Sequence, residues 1–247
     1  MRTKIGIKLT ENYSINFSLP KRLKNQVKFI ILHYTGMKKE SEALKKLCDP
    51  NSEVSSHYYI KNNGEILNLV PDLYQAWHAG KSNWKNLKSL NKYSIGIELT
   101  NPGHQYGYRN FSLKQISSTK VLLKYLIKKY KINKGYILGH SDISPNRKKD
   151  PGEKFPWHEL GKNRLCLWHK LDLKKLKELR NVWLSSQAEE TRFFKNLFKI
   201  GYVKVSKKKS DLKYLVKAFQ RRFRNQLING KIDKECLLIS KSLLNSS

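Results

Sequence analysis

Two histidines and one aspartate carry the densest chemistry in this sequence. His33 follows the apolar run Phe29-Ile30-Ile31-Leu32, and His140 follows Tyr136-Ile137-Leu138-Gly139. Both runs are too short and too rich in β-formers to be helices, so each predicts a strand that carries an imidazole at its end, where side chains face a cleft. Asp150 comes back on a breaker-rich loop pinned by Pro145 and Pro151. Two neutral imidazoles and a carboxylate suit tetrahedral Zn²⁺ with the fourth position left to water, the pattern of catalytic rather than structural zinc. Taken alone, the spacing also fits two hydrogen-bonded core histidines and an aspartate that caps a turn. His57 and His78 are alternative ligands, and His104, His158 and His169 stay open by sequence alone.

Further segments narrow the choice. Ile30-Ile31-Leu32-His33-Tyr34-Thr35, Trp77-His78-Ala79-Gly80, Ser94-Ile95-Gly96-Ile97-Glu98-Leu99 and Gly139-His140-Ser141-Asp142-Ile143-Ser144-Pro145 are followed by Arg147-Lys148-Lys149-Asp150-Pro151-Gly152 and Phe155-Pro156-Trp157. In this order they resemble the zinc-dependent N-acetylmuramoyl-L-alanine amidases of the amidase type 2 and peptidoglycan recognition protein group. Separated motifs in family order are far more specific than any one of them. The resemblance implies that His33, His140 and Asp150 are the zinc ligands, Glu98 the catalytic carboxylate and Lys148 the basic residue beside the scissile carbonyl. The implied reaction is hydrolysis of the amide between the lactyl group of N-acetylmuramic acid and the L-alanine of a peptidoglycan or muropeptide stem.

In that scheme Glu98 moves the water's proton to the leaving amine, and Lys148 stabilises the oxyanion. Glu98 is also conspicuous by itself, as the lone carboxylate of the apolar run Tyr93 to Leu99, where unpaired burial is costly. Lys148 competes with the reading that it is one more surface cation among 50 Lys+Arg. Trp77 and His78 are placed on the pocket wall against substrate. His57 is placed behind it, and Arg147 is set to meet a stem-peptide carboxylate bidentately. A non-catalytic recognition protein on the same scaffold is the rival reading; such proteins lose a ligand, whereas all three positions are filled here.

The net charge of +31, from 50 Lys+Arg against 19 Asp+Glu, asks what partner it serves. Lysine is spread along nearly every element with Asn and Ile rather than clustered with aromatics, so nucleic acid is not the expected partner. Solvated lysine faces, or attraction to an anionic wall polymer or lipid surface, account for it better. The three cysteines, Cys48, Cys166 and Cys236, are odd in number and far apart, which excludes a disulfide framework or a cysteine zinc ribbon. No stretch reaches the roughly 18–20 apolar residues of a membrane helix. Nothing near Met1 reads as a secretory signal, so the expectation is cytoplasmic, with the cell envelope the alternative if the chain is exported by another route or is a piece of a longer one.

The elements that must position these residues follow from periodicity. Val27–His33, Tyr93–Leu99 and Tyr136–Gly139 read as strands. His57–Ile60 and Ile66–Val70 read as a hairpin turned by Asn63-Gly64, a type I′ signal. Ser41–Cys48 reads as a short helix, and Ser112 with Gln115 caps a longer one whose apolar stripe is Ile116, Leu123, Ile127 and Tyr130. Residues 71–93 read as a pocket-shaping loop, in which Trp84 is either core cover or pocket wall. Strands alternating with helices imply an α/β fold with a mixed central β-sheet flanked by helices. The expected division is a zinc amidase domain over 1–182, with an irregular arm over 1–26, and a helical peptidoglycan-binding-like domain over 183–247. The usual central loop of that module is replaced by Val205-Ser206-Lys207-Lys208-Lys209, which puts its binding in doubt. It either directs the enzyme to polymer or covers an apolar face of the catalytic part.

Overall fold

The two apolar runs that end in histidines form neighbouring parallel strands in the computed structural model, which describes residues 7–9, 13–204 and 209–245. In chain order the first elements are β1 (Ile7–Leu9), β2 (Phe17–Ser18), β3 (Phe29–Tyr34), α1 (Glu40–Cys48), β4 (Tyr58–Ile60) and β5 (Ile66–Asn68). Then come β6 (Gln75–Ala76), β7 (Asn83–Trp84), β8 (Leu87–Lys88), β9 (Ser94–Leu99), α2 (Leu113–Tyr130) and β10 (Ile137–Gly139). The chain continues as α3 (His140–Ile143), α4 (Trp157–Lys162), α5 (Leu173–Leu179), α6 (Gln187–Ile200), α7 (Lys209–Phe223) and α8 (Lys234–Leu244). A six-stranded sheet runs β1-β5-β4-β9-β3-β10. Its neighbours are parallel except for the hairpin β4/β5, so the sheet is mixed, as expected.

Strand alternation gives the sheet two apolar faces, which explains why β3 reads as an unbroken hydrophobic run. Ile30 and Leu32 face α2, where Ile116, Leu122, Leu123 and Leu126 are buried. Phe29 and Ile31 face the other way and share one apolar cluster with Phe193 and Leu197 of α6, Leu215 and Phe219 of α7, and Ile239 and Leu243 of α8. The C-terminal helices are therefore packed against the sheet. Helix α2 starts at the expected capping box, with Ser112 Oγ accepting from the Gln115 amide at 3.1 Å.

Two expectations are corrected, and an open one is decided. The arm over 1–26 is not wholly irregular: β1 pairs in parallel with β5 at the sheet's edge, and β2 pairs with β6. The guanidinium of Arg22 is buried and donates to the carbonyls of Asp72, Tyr74, Asn91 and Ser94, which staples the arm down. The hairpin does not use a type I′ turn at Asn63-Gly64. Only Gly64 has positive φ, +85°, whereas that turn requires it at both central residues; the loop closes instead with the Gly64 amide donating to Lys61 O at 2.9 Å. Trp84 is core cover, stacked edge-on against Tyr202 with ring centroids 4.9 Å apart. The expected loop residues 205–208 lie outside the described residues, as do 1–6 at the start of the arm.

Candidate metal centre and cleft

His33, His140 and Asp150 come together at the carboxyl edge of the parallel strands, where open α/β sheets place their clefts. Register decides this: His33 on β3 stands beside Glu98 on β9, and Gly139 on β10 stands beside Leu32, so His140 emerges next to His33. The loop after α3 then returns Asp150, tied back by the Ser141 amide donating to Asp150 O at 2.9 Å. His33 Nδ1, His140 Nδ1 and Asp150 Oδ2 form a triangle with edges of 2.9, 3.0 and 3.0 Å. All three residues are buried, and they are the group that could hold a metal ion among the described residues.

The hydrogen bonds behind the triangle settle the imidazole tautomers. Leu90 O can only accept, so Ser94 Oγ donates to it at 2.6 Å and must accept from His78 Nε2 at 3.2 Å. His78 Nδ1 is then an acceptor, and His33 Nε2 donates to it at 3.0 Å. Ala79 O likewise can only accept, so His140 donates through Nε2 at 3.1 Å. Burial keeps His78 well below the ordinary imidazole range and takes His33 down to about 4, so both are neutral at pH 7. With Nε2 of each ring given to a partner behind it, Nδ1 is the nitrogen that His33 and His140 each turn toward the other and toward Asp150 Oδ2. Burial by itself would raise the Asp150 pKa, but positive charge and hydrogen bonding at His140 and His33 hold it far below the ordinary carboxylate range. Three convergent lone pairs call for a cation: a proton serves one edge of the triangle, a metal ion all three.

The triangle opens into a cavity of about 430 Å³ lined by Tyr34, Trp77, His78, Glu98, His104, Arg147 and Lys148 together with the three candidate ligands. Glu98 keeps some surface open to it, yet its Oε2 is buried with no hydrogen-bond partner among the described residues. Burial, with the Asp150 charge nearby, pushes Glu98 up to about 8, against a smaller opposing pull from Lys148. Lys148 also acts on His33, so its charge reaches both halves of the site.

The remaining candidates separate by contact. Trp77 lines the cavity with its indole Nε1 anchored on Ser18 Oγ at 2.8 Å. His78 touches the cavity, but both of its ring nitrogens are engaged, one by His33 and one by Ser94. Its ring presses on Gly96, where any Cβ would collide with it. Arg147 lines the cavity and gives its Nη2 to Lys81 O at 2.8 Å and Ser144 Oγ at 3.0 Å. His57 stands apart from the triangle, accepting from the Gly96 amide at 3.0 Å through Nδ1 and donating to Tyr74 O at 2.9 Å through Nε2. His158 and His169 lie by Trp168, away from the cleft.

Sequence reasoning gave no role to Ser94, nor to the rim in which Tyr34 OH donates to His104 Nδ1 at 2.8 Å and His104 Nε2 meets Glu153 at 3.1 Å. A serine at the head of an apolar strand was the available signal for the first. The rim joins residues too far apart in sequence to announce themselves.

A family model described as N-acetylmuramoyl-L-alanine amidase matches residues 23–153. The chain is 35% identical over 237 residues to the N-acetylmuramoyl-L-alanine amidase AmiD of Escherichia coli (strain K12), spanning 89% of this chain and 83% of that protein. It is 43% identical over 105 residues to the 1,6-anhydro-N-acetylmuramyl-L-alanine amidase AmpD of Haemophilus influenzae, spanning 42% of this chain and 55% of that one. Among solved structures, the complex of Escherichia coli AmiD with the substrate anhydro-N-acetylmuramic acid-L-Ala-D-gamma-Glu-L-Lys matches with a TM-score of 0.79 and 32% identity, over 92% of each chain. AmpDh3 of Pseudomonas aeruginosa matches with a TM-score of 0.77 and 28% identity, over 96% of this chain and 98% of that one.

Proposed function

Because the chain belongs to the N-acetylmuramoyl-L-alanine amidase family, we propose that it hydrolyses the amide between N-acetylmuramic acid, or its 1,6-anhydro form, and the L-alanine of a peptidoglycan stem, in cell-wall turnover or recycling. We propose that Zn²⁺ is held by His33, His140 and Asp150. The observation that carries this is the convergence of three lone pairs whose tautomers are fixed from behind. The donor set fits: tetrahedral zinc with bonds of about 2.0–2.2 Å spaces its donors roughly 3.3–3.5 Å apart, and these atoms, 2.9–3.0 Å apart, need spread only slightly.

When bound, zinc supplies Lewis-acid polarisation of the scissile carbonyl and makes water nucleophilic near neutral pH. The rest falls to side chains of this chain. Glu98 takes a proton from the attacking water and delivers it to the L-alanine nitrogen as the C–N bond breaks and the C–O bond forms. A carboxylate with an unpartnered buried oxygen suits this, and a cation at the triad offsets the Asp150 charge that raises Glu98, bringing it toward the working range. Lys148 places positive charge where the carbonyl oxygen becomes negative. Trp77 and His78 wall the cleft, and the part of Arg147 not spent on Lys81 and Ser144 faces a stem carboxylate.

The partner is a peptidoglycan fragment, the class of molecule bound to AmiD in its complex with anhydro-N-acetylmuramic acid-L-Ala-D-gamma-Glu-L-Lys and to AmpDh3 in its complex with anhydromuramic pentapeptide. The relatives are bacterial, and no helix among the described residues is long and apolar enough to cross a membrane. We propose a division at 182/183 into a metal-bearing part and a helical part, with the second folded onto the first through their common apolar cluster. The deciding experiment is mass spectrometry of muropeptides digested by the zinc-loaded protein, with and without chelator, alongside His140→Ala. Free L-alanyl peptides should appear only with wild type and without chelator. Cleavage that survives both chelator and His140→Ala would overturn the zinc reading, and no cleavage by zinc-loaded wild type would overturn the activity.

A further inference from the structure

β3 is paired on both sides as far as Leu32, and His33 is paired with Glu98 of β9, but His140 and Asp150 lie outside the sheet. β3 lies between β9 and β10, whereas β10 is an edge strand of three residues that ends at Gly139, one residue before His140. Asp150 is on a loop beyond. Whatever holds the second and third ligands in place must come from outside the sheet.

The C-terminal helical segment supplies it at both ends of the ligand-bearing stretch. At the near end, Asp142 is 1% exposed, and both carboxylate oxygens are engaged. Oδ2 accepts from the Gly139 amide at 2.8 Å and from Arg222 Nη1 at 2.7 Å, and Oδ1 accepts from Tyr202 OH at 2.6 Å. Arg222 reaches past it to donate Nη2 to Ile137 O at 3.0 Å, and its guanidinium lies over the Trp157 ring at 4.4 Å. At the far end, the Glu153 carboxylate lies 3.6 Å from Arg221 Nε, and the Glu153 carbonyl accepts from Asn225 Nδ2 at 2.8 Å. Two consecutive arginines of α7 thus address the two ends of the stretch that carries His140 and Asp150. The planar Arg222 fork, with one arm on the Asp142 carboxylate and the other on the Ile137 carbonyl, fixes orientation as well as distance, and groups that orient metal ligands from behind typically matter about 10–100-fold in metal affinity or activity.

We infer that Arg222, Tyr202, Arg221 and Asn225 are positioning residues through which the C-terminal helices preorganise the metal centre. The inference rests on the zinc reading of the His33, His140 and Asp150 triad. It gives the helical segment a task in the chemistry of the cleft without contact to substrate.

The test measures zinc dissociation constants by chelator competition on the purified full chain, with kcat and KM on a soluble muropeptide and the thermal unfolding of each metal-free variant. Asp142→Asn and the pair Arg221→Gln/Asn225→Ala address the two ends, and Arg222→Lys against Arg222→Gln asks whether charge alone rescues part of the function. The control is Asp233→Asn, which breaks the Arg224–Asp233 pair, equally buried in the same helical segment and without contact to the ligand stretch. Zinc affinity should fall about 10–100-fold in Asp142→Asn and measurably in the Arg221/Asn225 pair, with kcat lowered and KM kept. Arg222→Lys should lie between wild type and Arg222→Gln, and Asp233→Asn should bind zinc as wild type does. Should Asp142→Asn fail to fold, the Arg221/Asn225 pair at the more exposed end decides alone. Unchanged zinc affinity in that pair, or an equal loss in Asp233→Asn, overturns the inference while leaving zinc in place. Wild type that binds no zinc overturns the metal reading and this inference with it.

Discussion

Ending the chain at Val182 removes the four-way contact between sheet, α6, α7 and α8, and the structure sets the scale of the damage. Phe29, Ile31, Trp84, Leu138, Ile143 and Leu176 lie on the retained side of the shared apolar cluster. At about 1.5–3 kcal/mol for each fully buried side chain, uncovering half of their surface costs roughly 5–9 kcal/mol. Asp142 would also lose Arg222 and Tyr202, the partners that the C-terminal segment gives its carboxylate. The apolar loss alone falls within the roughly 5–15 kcal/mol that holds an ordinary domain folded. The shortened chain should therefore lack a cooperative thermal transition, lose near-ultraviolet circular dichroism and bind hydrophobic dye. A chain ending at Val182 that melts cooperatively within a few degrees of the full protein would refute the reasoning. It would show that the helices dock on a catalytic part already complete, as a targeting module does.

Three further outcomes follow from single side chains. Glu98→Gln should keep stoichiometric zinc by metal analysis and lose about 10²–10⁴ in kcat; wild-type turnover would move the proton transfer to another group. Ser94→Ala cuts the chain that fixes the His33 tautomer, so zinc should bind about 10–100-fold more weakly by chelator competition, and unchanged affinity would show that His78 orients His33 unaided. Asp72 accepts from Tyr58, Lys129 and Tyr130; although burial opposes it, these partners hold its pKa below the ordinary carboxylate value. A group depressed in the folded state lends stability above its unfolded pKa and loses it as pH falls through the folded value. The stability gap between wild type and Asp72→Asn, from denaturant melts, should accordingly be full at pH 6 and narrow steadily below about pH 4; a gap independent of pH would mean that Asp72 is not ionised in the fold.

The sequence by itself determined the central sheet and singled out the three residues that converge. Short apolar runs ending in His33 and His140 can form only strands that end at a cleft, and an acid such as Glu98 in an apolar strand is costly enough to stand out. The capping box at Ser112 was equally legible, because local geometry dictates it. Tertiary structure alone decided which face of each ring meets a neighbour. His78 reads in sequence as a pocket residue, yet its nitrogens are given to His33 and Ser94, a relation set by the register of β9 against β3 and by the space that Gly96 leaves. The edge strand of the arm was hidden because a three-residue pairing needs its partner β5 to be visible at all. Arg221 and Arg222 were indistinguishable among 50 Lys+Arg, since what separates a solvated arginine from one braced against Asp142 or Glu153 is the long-range packing of α7 on the edge of the sheet, and no local pattern encodes that.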